Sequence, residues 1–375
     1  MLKIGIDASR ANKDQKTGTE WYSYYVIEEL KKLLQNSDKK VLLYTNEPLK
    51  SNLGKMPNSN WQEKILNWPP KYLWTQIRLW WELFKNPPDV LFVPAHTIPF
   101  LPIPKKTKVL VNVHDVGFKR FPKLYKPIQV WYHDFTMKKI KSRADVIITI
   151  SEFSKREIME LYQVNAEKIK VVYLSFDKEK YNEQTREIPK DEVLAKFKIT
   201  KPFLLFLGRI EIKKNILNMA KAFALTKENN PDLQLVFAGS TGNGYEELQS
   251  LVKDLKIEDD VIFTGYVTEK EAQVLNANAS IFLFTTLYEG FGIPILQSMA
   301  CGTPVLISDL DVHNEIAGGV AIPADPYNSE KMAEKINQML NDENLRQELI
   351  QKGLARVKDF SWERTAQEIL KIIFN

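Results

Sequence analysis

Short apolar runs, each followed by a stretch of helical periodicity, recur from one end of this chain to the other. Val-Leu-Phe-Val at 90–93, Val-Ile-Ile-Thr-Ile at 146–150 and Phe-Leu-Leu-Phe-Leu at 203–207 lack the in-and-out alternation of a half-buried strand. A strand without that alternation is covered on both faces, as parallel strands are by their crossover helices. The pattern predicts strands at 3–7, 40–45, 90–93, 109–113, 146–150 and 170–173. A second series follows at 203–207, 234–238, 261–264, 281–284 and 304–307. Helices are expected between them, among others at 20–34, 217–228, 245–254, 269–276 and 294–300. Residues 183–200 interrupt the alternation with Pro189, several charges and a short helix, and read as a linker. With 375 residues the chain is too long for one core. The expected fold is therefore α/β: two Rossmann-like, doubly wound domains, 1–182 and 201–358, facing each other across a cleft. The tail 359–375, with a helix at 362–374, is expected to pack back on the first domain. In such sheets ligands sit beyond the C-terminal strand ends, which makes the cleft the expected site.

Composition narrows the chemistry. One Cys and four His provide too few soft ligands for a structural zinc site or a disulfide framework; Cys301 reads as a small buried residue. No stretch is long and apolar enough to span a bilayer, and the opening Met-Leu-Lys-Ile-Gly-Ile-Asp reads as a strand, so a cytoplasmic protein is expected. The charge is unevenly spread: residues 1–180 hold 31 Lys and Arg against 19 Asp and Glu, the remainder 21 against 28. The densest basic stretch, 105–143, includes Lys119, Arg120, Lys123, Lys126, Lys138, Lys139 and Lys141. It suits an anionic surface or substrate, or is a solvated basic face. No nucleic-acid-binding motif accompanies it.

Two segments concentrate the functional signal. The strand at 203–207 ends in Gly208 and then delivers Arg209, Lys213, Lys214 and Asn215 at its tip. Arg209 can fork onto phosphate oxygens and Lys214 is a compact point charge; together they can neutralise a departing diphosphate, or else they are loop cations in solvent. Further on, the strand at 281–284 runs into Glu289-Gly290-Phe291-Gly292-Ile293-Pro294 and a helix. Loop amides and a helix start make an anion site, and Gly290 and Gly292 admit close backbone approach. Glu289 is placed to accept bonds from sugar hydroxyls.

With these motifs the chain resembles the large retaining glycosyltransferase family 4, of GT-B fold, along nearly its whole length. The family pattern has an Arg and a Lys five residues apart after a strand ending in Gly, matched by Gly208-Arg209 and Lys214-Asn215. It then has Glu-Gly-Phe-Gly-(hydrophobic)-Pro, matched at 289–294, and a second Glu eight positions after the first. Further likenesses are Gly18 in the first strand-helix loop, Val113-His114-Asp115, Ser151-Glu152-Phe153-Ser154, Ala300-Cys301-Gly302-Thr303-Pro304-Val305 and Phe360-Ser361-Trp362. The resemblance implies that Arg209 and Lys214 hold the diphosphate, and that Glu289 with the amides of Phe291, Gly292 and Ile293 holds the transferred sugar. His114 would face that sugar from the first domain. Gly18, with its neighbour Thr19, would bring an amide near the distal phosphate, and the base would lie near Tyr266 and Val267. At the second Glu this chain has Gln297, which implies weaker grip on the ribose.

The implied activity is metal-independent, retaining transfer of a hexose, mannose or glucose, from a GDP- or UDP-sugar to a glycan or lipid-linked acceptor hydroxyl, with no resident cofactor. A nucleotide-sugar epimerase of related fold and a non-catalytic partner protein are the competing readings. His96, after another strand, reads as a possible cleft residue. Asp309 and Asp311 read as a structural turn rather than a metal pair. The aromatic cluster at 61–81, with Trp61, Trp68, Tyr72, Trp74, Trp80 and Trp81, suits a docking face, with Trp74, Ile77 and Trp81 forming the buried stripe of a helix. Together with the 105–143 stretch it suggests peripheral contact with the inner face of an anionic membrane.

Overall fold

The computed structural model of the protein describes residues 1–14, 16–68 and 73–375, so that Tyr72 of the aromatic cluster lies outside the described residues. The chain forms two compact units. Unit 1 comprises Met1–Leu174 and Ser361–Asn375, and unit 2 comprises Ser175–Phe360.

In unit 1 seven strands form one sheet: β1 (Lys3–Asp7), β2 (Lys40–Thr45), β3 (Trp61–Ile65), β4 (Val90–Val93), β5 (Lys108–Asn112), β6 (Val146–Thr149) and β7 (Ile169–Val171). Their order is β3-β2-β1-β4-β5-β6-β7, and every pairing is parallel. Unit 2 holds six more: β8 (Phe203–Leu207), β9 (Gln234–Ala238), β10 (Val261–Gly265), β11 (Ile281–Phe284), β12 (Val305–Ser308) and β13 (Ile322–Ala324). They run β10-β9-β8-β11-β12-β13, again all parallel. Both sheets reverse direction of growth once, between β1 and β4 and between β8 and β11, which defines the doubly wound α/β class and opens a crevice at each reversal. The central strands are buried along nearly their whole length, as their apolar runs require.

Two strands lie outside the predicted set and carry no such run. β3, Trp-Gln-Glu-Lys-Ile, lies at the sheet edge with only Trp61 buried, and β13 contains Pro323, a residue tolerated at an edge where its missing N–H is not needed. Residues 183–200, read as a linker with a short helix, form a 3-10 turn (Glu183–Glu187) and the expected helix (Asp191–Lys196), and they belong to unit 2. Arg186 donates from Nε to the Cys301 carbonyl at 2.8 Å, which ties the turn down. Arg186 also bonds the Gly302 carbonyl, and Val193 and Ile199 are buried, so a polar clamp and apolar packing together hold this segment.

The helix Trp362–Phe374 belongs to unit 1, where Trp362 is buried and stacks on Tyr25 of the helix Gly18–Leu34 at 5.1 Å. Lys108 donates to the Ile372 carbonyl and Thr365 to the Tyr173 carbonyl, both at 2.8 Å. The aromatic cluster departs from expectation. Trp74 is buried, but Ile77 and Trp81 are exposed, and Leu79 and Leu83 take the inner face. The cause is a π-helical turn, Thr75–Leu79, ahead of the α-helix Trp80–Lys85; its wider winding rotates the following residues away from the 3.6-residue stripe.

Candidate functional site

In unit 2 the three strands on one side of the reversal end in glycines of positive φ: Gly208 (+153°), Gly239 (+142°) and Gly265 (+68°). Main-chain bonds join them in a row, Gly208 N–H to Ala238 and Gly239 N–H to Gly265, each at 2.9 Å. A Cβ on Gly239 would lie 2.0 Å from the Gly208 carbonyl oxygen, so only glycine lets these strand ends meet. Of the three, the motif singled out Gly208; the other two follow strands with no cation behind them.

Beyond Gly208 the chain alternates. Ile210 is buried and bonded to the Ser240 carbonyl, which turns Arg209 outward; its side chain is 63% exposed, with Glu211 3.8 Å away. A 3-10 turn, Ile212–Lys214, then leads to Asn215, whose left-handed backbone (φ +63°) starts the helix Ile216–Lys227. The Asn215 amide donates to the Pro326 carbonyl at 2.7 Å, locking that conformation. The turn is joined to the loop after β11 by the Leu287 N–H, which donates to the Lys213 carbonyl at 3.0 Å, and by Lys213, whose ammonium lies 5.7 Å from the centre of the Tyr288 ring.

The decisive contact is an ion pair between Lys214 Nζ and Glu289 Oε1, with side chains 20% and 18% exposed. The structure thus brings together two residues 75 positions apart in the chain, one from each side of the sheet reversal. Burial pushes the Glu289 carboxyl up, but the charges of Lys214 and Lys213 and the Lys214 hydrogen bond outweigh it and hold the group below its usual range. Glu289 is therefore a carboxylate at neutral pH. Behind it lies His313, fully buried beside Phe284, with Nε2 3.3 Å from the Thr286 hydroxyl. Burial lowers its pKa to about 4 despite the pull of Glu289, so it is neutral. His313 sits in the first turn region of a short helix, Asp311–Ala317, without motif or periodic signal, and sequence reasoning missed it.

After Glu289, Gly290 and Phe291 are buried, and Gly292 (φ +113°) caps the helix Ile293–Ala300, with Pro294 in its first turn. A Cβ on Gly292 would press against Ile295 and Phe284 at 2.9 and 3.1 Å, and the left-handed backbone there favours glycine. Gln297 lies one turn into this helix, half-buried. Tyr266, 80% exposed, and Val267, half-buried, follow Gly265 at the far end of the glycine row. Asp309 accepts a bond from Asn314 at 2.8 Å, a structural turn.

Unit 1 has its own crevice at the reversal between β1 and β4. A cavity of about 180 Å³ is lined by Thr19, His96, His114, Asp115, Phe118 and His133, among others. His114, just past β5, is held by a chain of bonds: Tyr22 donates its hydroxyl to Asn112 Oδ1 at 3.0 Å, and Asn112 Nδ2 faces His114 Nε2 at 3.2 Å. With the amide oriented this way Nε2 accepts, which places the proton on Nδ1. Burial lowers the pKa of His114 to about 4 and that of His96 to about 3, so both imidazoles are neutral. His133, on the helix Pro127–Arg143, lies 5.2 Å from the His96 ring and shares the cavity with Thr136 and Met137. Its i, i+3, i+4 spacing to those two was the available sequence signal. Gly18 is the first residue of its helix, and a Cβ there would touch nothing within 4 Å; nothing in the fold requires glycine at this position.

Two Rossmann-like units, one carrying a cation and carboxylate pair at its sheet reversal, define a GT-B type glycosyltransferase fold. A family model described as Glycosyl transferases group 1 matches residues 189–356, and one described as Glycosyltransferase Family 4 matches residues 20–180. Between them they span most of the chain, and the protein belongs to this glycosyltransferase family. It is 29% identical to O-antigen chain mannosyltransferase B of Escherichia coli over 70% of this chain and 69% of that one. To O-antigen chain mannosyltransferase RfbU of Salmonella typhimurium it is 28% identical, over 62% of this chain but only 59% of the relative. The Anabaena Alr3699/HepE structure, in complex with UDP and glucose, superposes with a TM-score of 0.71 over 100% of this chain and 99% of that one, at 18% identity, a likeness of fold. Among the described residues no helix is long and apolar enough to cross a membrane.

Proposed function

We propose that the protein transfers a hexose from a nucleoside-diphosphate sugar to the hydroxyl of a glycan or lipid-linked acceptor, with retention of anomeric configuration and without a metal ion. The observation that carries this reading is the Lys214–Glu289 pair across the sheet reversal of unit 2. The row of glycines at 208, 239 and 265 offers a flat floor for a nucleoside, with Val267 at its end and Gln297 available to the ribose hydroxyls. Lys214 and the outward-turned Arg209 meet the diphosphate, and Glu289 accepts from the hydroxyls of the sugar, its neighbours Gly290, Phe291, Gly292 and Ile293 lining the turn. Donor arrival gives Lys214 a phosphate to neutralise, so its charge is shared between Glu289 and the leaving group.

In the reaction the bond from the anomeric carbon to the diphosphate oxygen breaks as the acceptor oxygen bonds to the same face, and the acceptor proton passes to the departing phosphate. Each preorganised cation at that developing anion contributes about 3 kcal/mol. The neutral imidazoles of His114 and His96 suit sugar hydroxyls, which need donors and acceptors rather than charge. GDP-mannose is the first donor to try, because two relatives are named mannosyltransferases; UDP-glucose is the second, because HepE is seen with UDP and glucose.

The test is proton NMR of the full chain with each donor and a set of glycan and lipid-linked acceptors, EDTA present throughout. Appearance of a product whose anomeric coupling matches that of the donor supports the reading. A product of inverted configuration, or turnover that EDTA abolishes, would overturn the corresponding part of it.

A further inference from the structure

The surface of unit 1 carries an apolar ridge in two parts that neither its core nor the site uses. Its first part is on the helical segment 75–85, where Ile77, Trp81 and Phe84 share one face and stand in solvent, Trp81 at 46% and Phe84 at 56% exposure. The second part is on the helix Pro127–Arg143, where Ile128 and Trp131 are 66% and 62% exposed and Trp131 stacks on Phe135 at 5.7 Å. The loop between supplies exposed Leu101 and fastens the parts together. Phe100 donates its N–H to Gln76 at 2.7 Å and packs edge-on against Phe135 at 4.8 Å, and the Trp80 indole donates to the Pro102 carbonyl at 3.0 Å. Exposed apolar side chains grouped in this way, rich in aromatic rings, mark interaction surfaces.

Cations fringe the ridge. The Lys85 ammonium lies 5.0 Å from the Trp81 ring and that of Lys139 lies 5.2 Å from Phe135, while Lys123 and Lys126 are exposed just ahead of Ile128. Between the two parts opens a cavity of about 300 Å³ lined by Arg10, Lys13, Gln76, Phe100 and Tyr132. Unit 1 as a whole holds 31 Lys and Arg against 19 Asp and Glu, whereas unit 2 holds 21 against 28. A second copy of the chain meeting this face would set lysines against lysines, so the charge favours an anionic occupant over self-association.

We propose that unit 1 docks by this ridge onto a bilayer containing anionic phospholipid. Trp81, Phe84, Ile128 and Trp131 enter the interfacial layer, where indole and phenyl rings are most at home, and Lys85, Lys123, Lys126 and Lys139 meet the lipid phosphates. The cationic cavity then opens at the lipid surface.

Flotation of the full chain with vesicles of phosphatidylcholine alone, or mixed with phosphatidylglycerol, tests this. The wild type is expected to float at least ~10-fold better with the mixed vesicles, and to be released by raised salt. Trp81→Ser combined with Phe84→Ser and Trp131→Ser should abolish flotation, and Lys85→Glu with Lys123→Glu and Lys126→Glu should abolish the preference for phosphatidylglycerol. Unchanged circular dichroism in both variants shows that the fold survives. Equal flotation with both vesicles, none with either, or serine and glutamate variants that float like the wild type would overturn the proposal. So would sedimentation of the wild type as a dimer that the serine variant dissociates.

Discussion

At the ends of β8, β9 and β10 the chain turns on Gly208, Gly239 and Gly265, while at the ends of β1, β4 and β5 it places Arg10, His96 and His114. The same strand order thus carries two different chemistries. Unit 2 strips side chains from its floor and sets the Lys214–Glu289 pair at the reversal; unit 1 fills its crevice with neutral imidazoles. A doubly wound sheet fixes where a ligand sits, and the loop residues decide which ligand. If that contrast is right, substitutions in the two units should fail in different ways.

The largest effect is expected at the ion pair. Lys214→Ala removes the cation from the leaving group and strands Glu289, and should cut kcat/KM by roughly 10² to 10³-fold while the circular dichroism spectrum stays unchanged. Glu289→Gln, which keeps the shape and loses the charge, should show a similar drop in steady-state assays of transfer. Next comes Gly239→Ala, where a methyl against the Gly208 carbonyl at a positive φ should cost about 3 kcal/mol in urea unfolding. Its counterpart in unit 1, Gly18→Ala, should cost no stability, because that position opens on empty space; loss of activity there would show a ligand approaching the backbone.

The third effect concerns pH. His313 has its folded pKa at about 4, below the ordinary 6.5. Above pH 6.5 it is neutral folded and unfolded; as pH falls the unfolded chain takes up the proton first, so stability is lost between 6.5 and about 4. The full shift corresponds to about 3 kcal/mol. His313→Leu should flatten the acid limb of the thermal stability profile by about one proton, while His96 and His114 continue to steepen it. The smallest effect is at Gln297, where Gln297→Glu should tighten nucleotide binding several-fold, about 1 kcal/mol by calorimetry.

The central strands and the motif residues Arg209, Lys214 and Glu289 were legible in the sequence because unbroken apolar runs and charged strand tips are local signals. What was not legible depends on packing. β3 and β13 sit at sheet edges and need no apolar run. Ile77 and Trp81 were placed inside by a 3.6-residue period that the π-helical turn breaks. Gly239, Gly265 and His313 gain their positions from neighbours distant in sequence. The Lys214–Glu289 contact itself could not be read off either segment, since it exists only because β8 and β11 lie side by side.

The proposed role of Lys214, holding the diphosphate of a nucleotide sugar, is tested most directly by calorimetric titration of the wild type and Lys214→Met with GDP, UDP and their hexose conjugates in EDTA. One of the nucleotides should bind the wild type without a metal ion, and the variant should bind it at least ~10-fold more weakly. Equal affinity for the variant, or no binding of either nucleotide to the wild type, would contradict it.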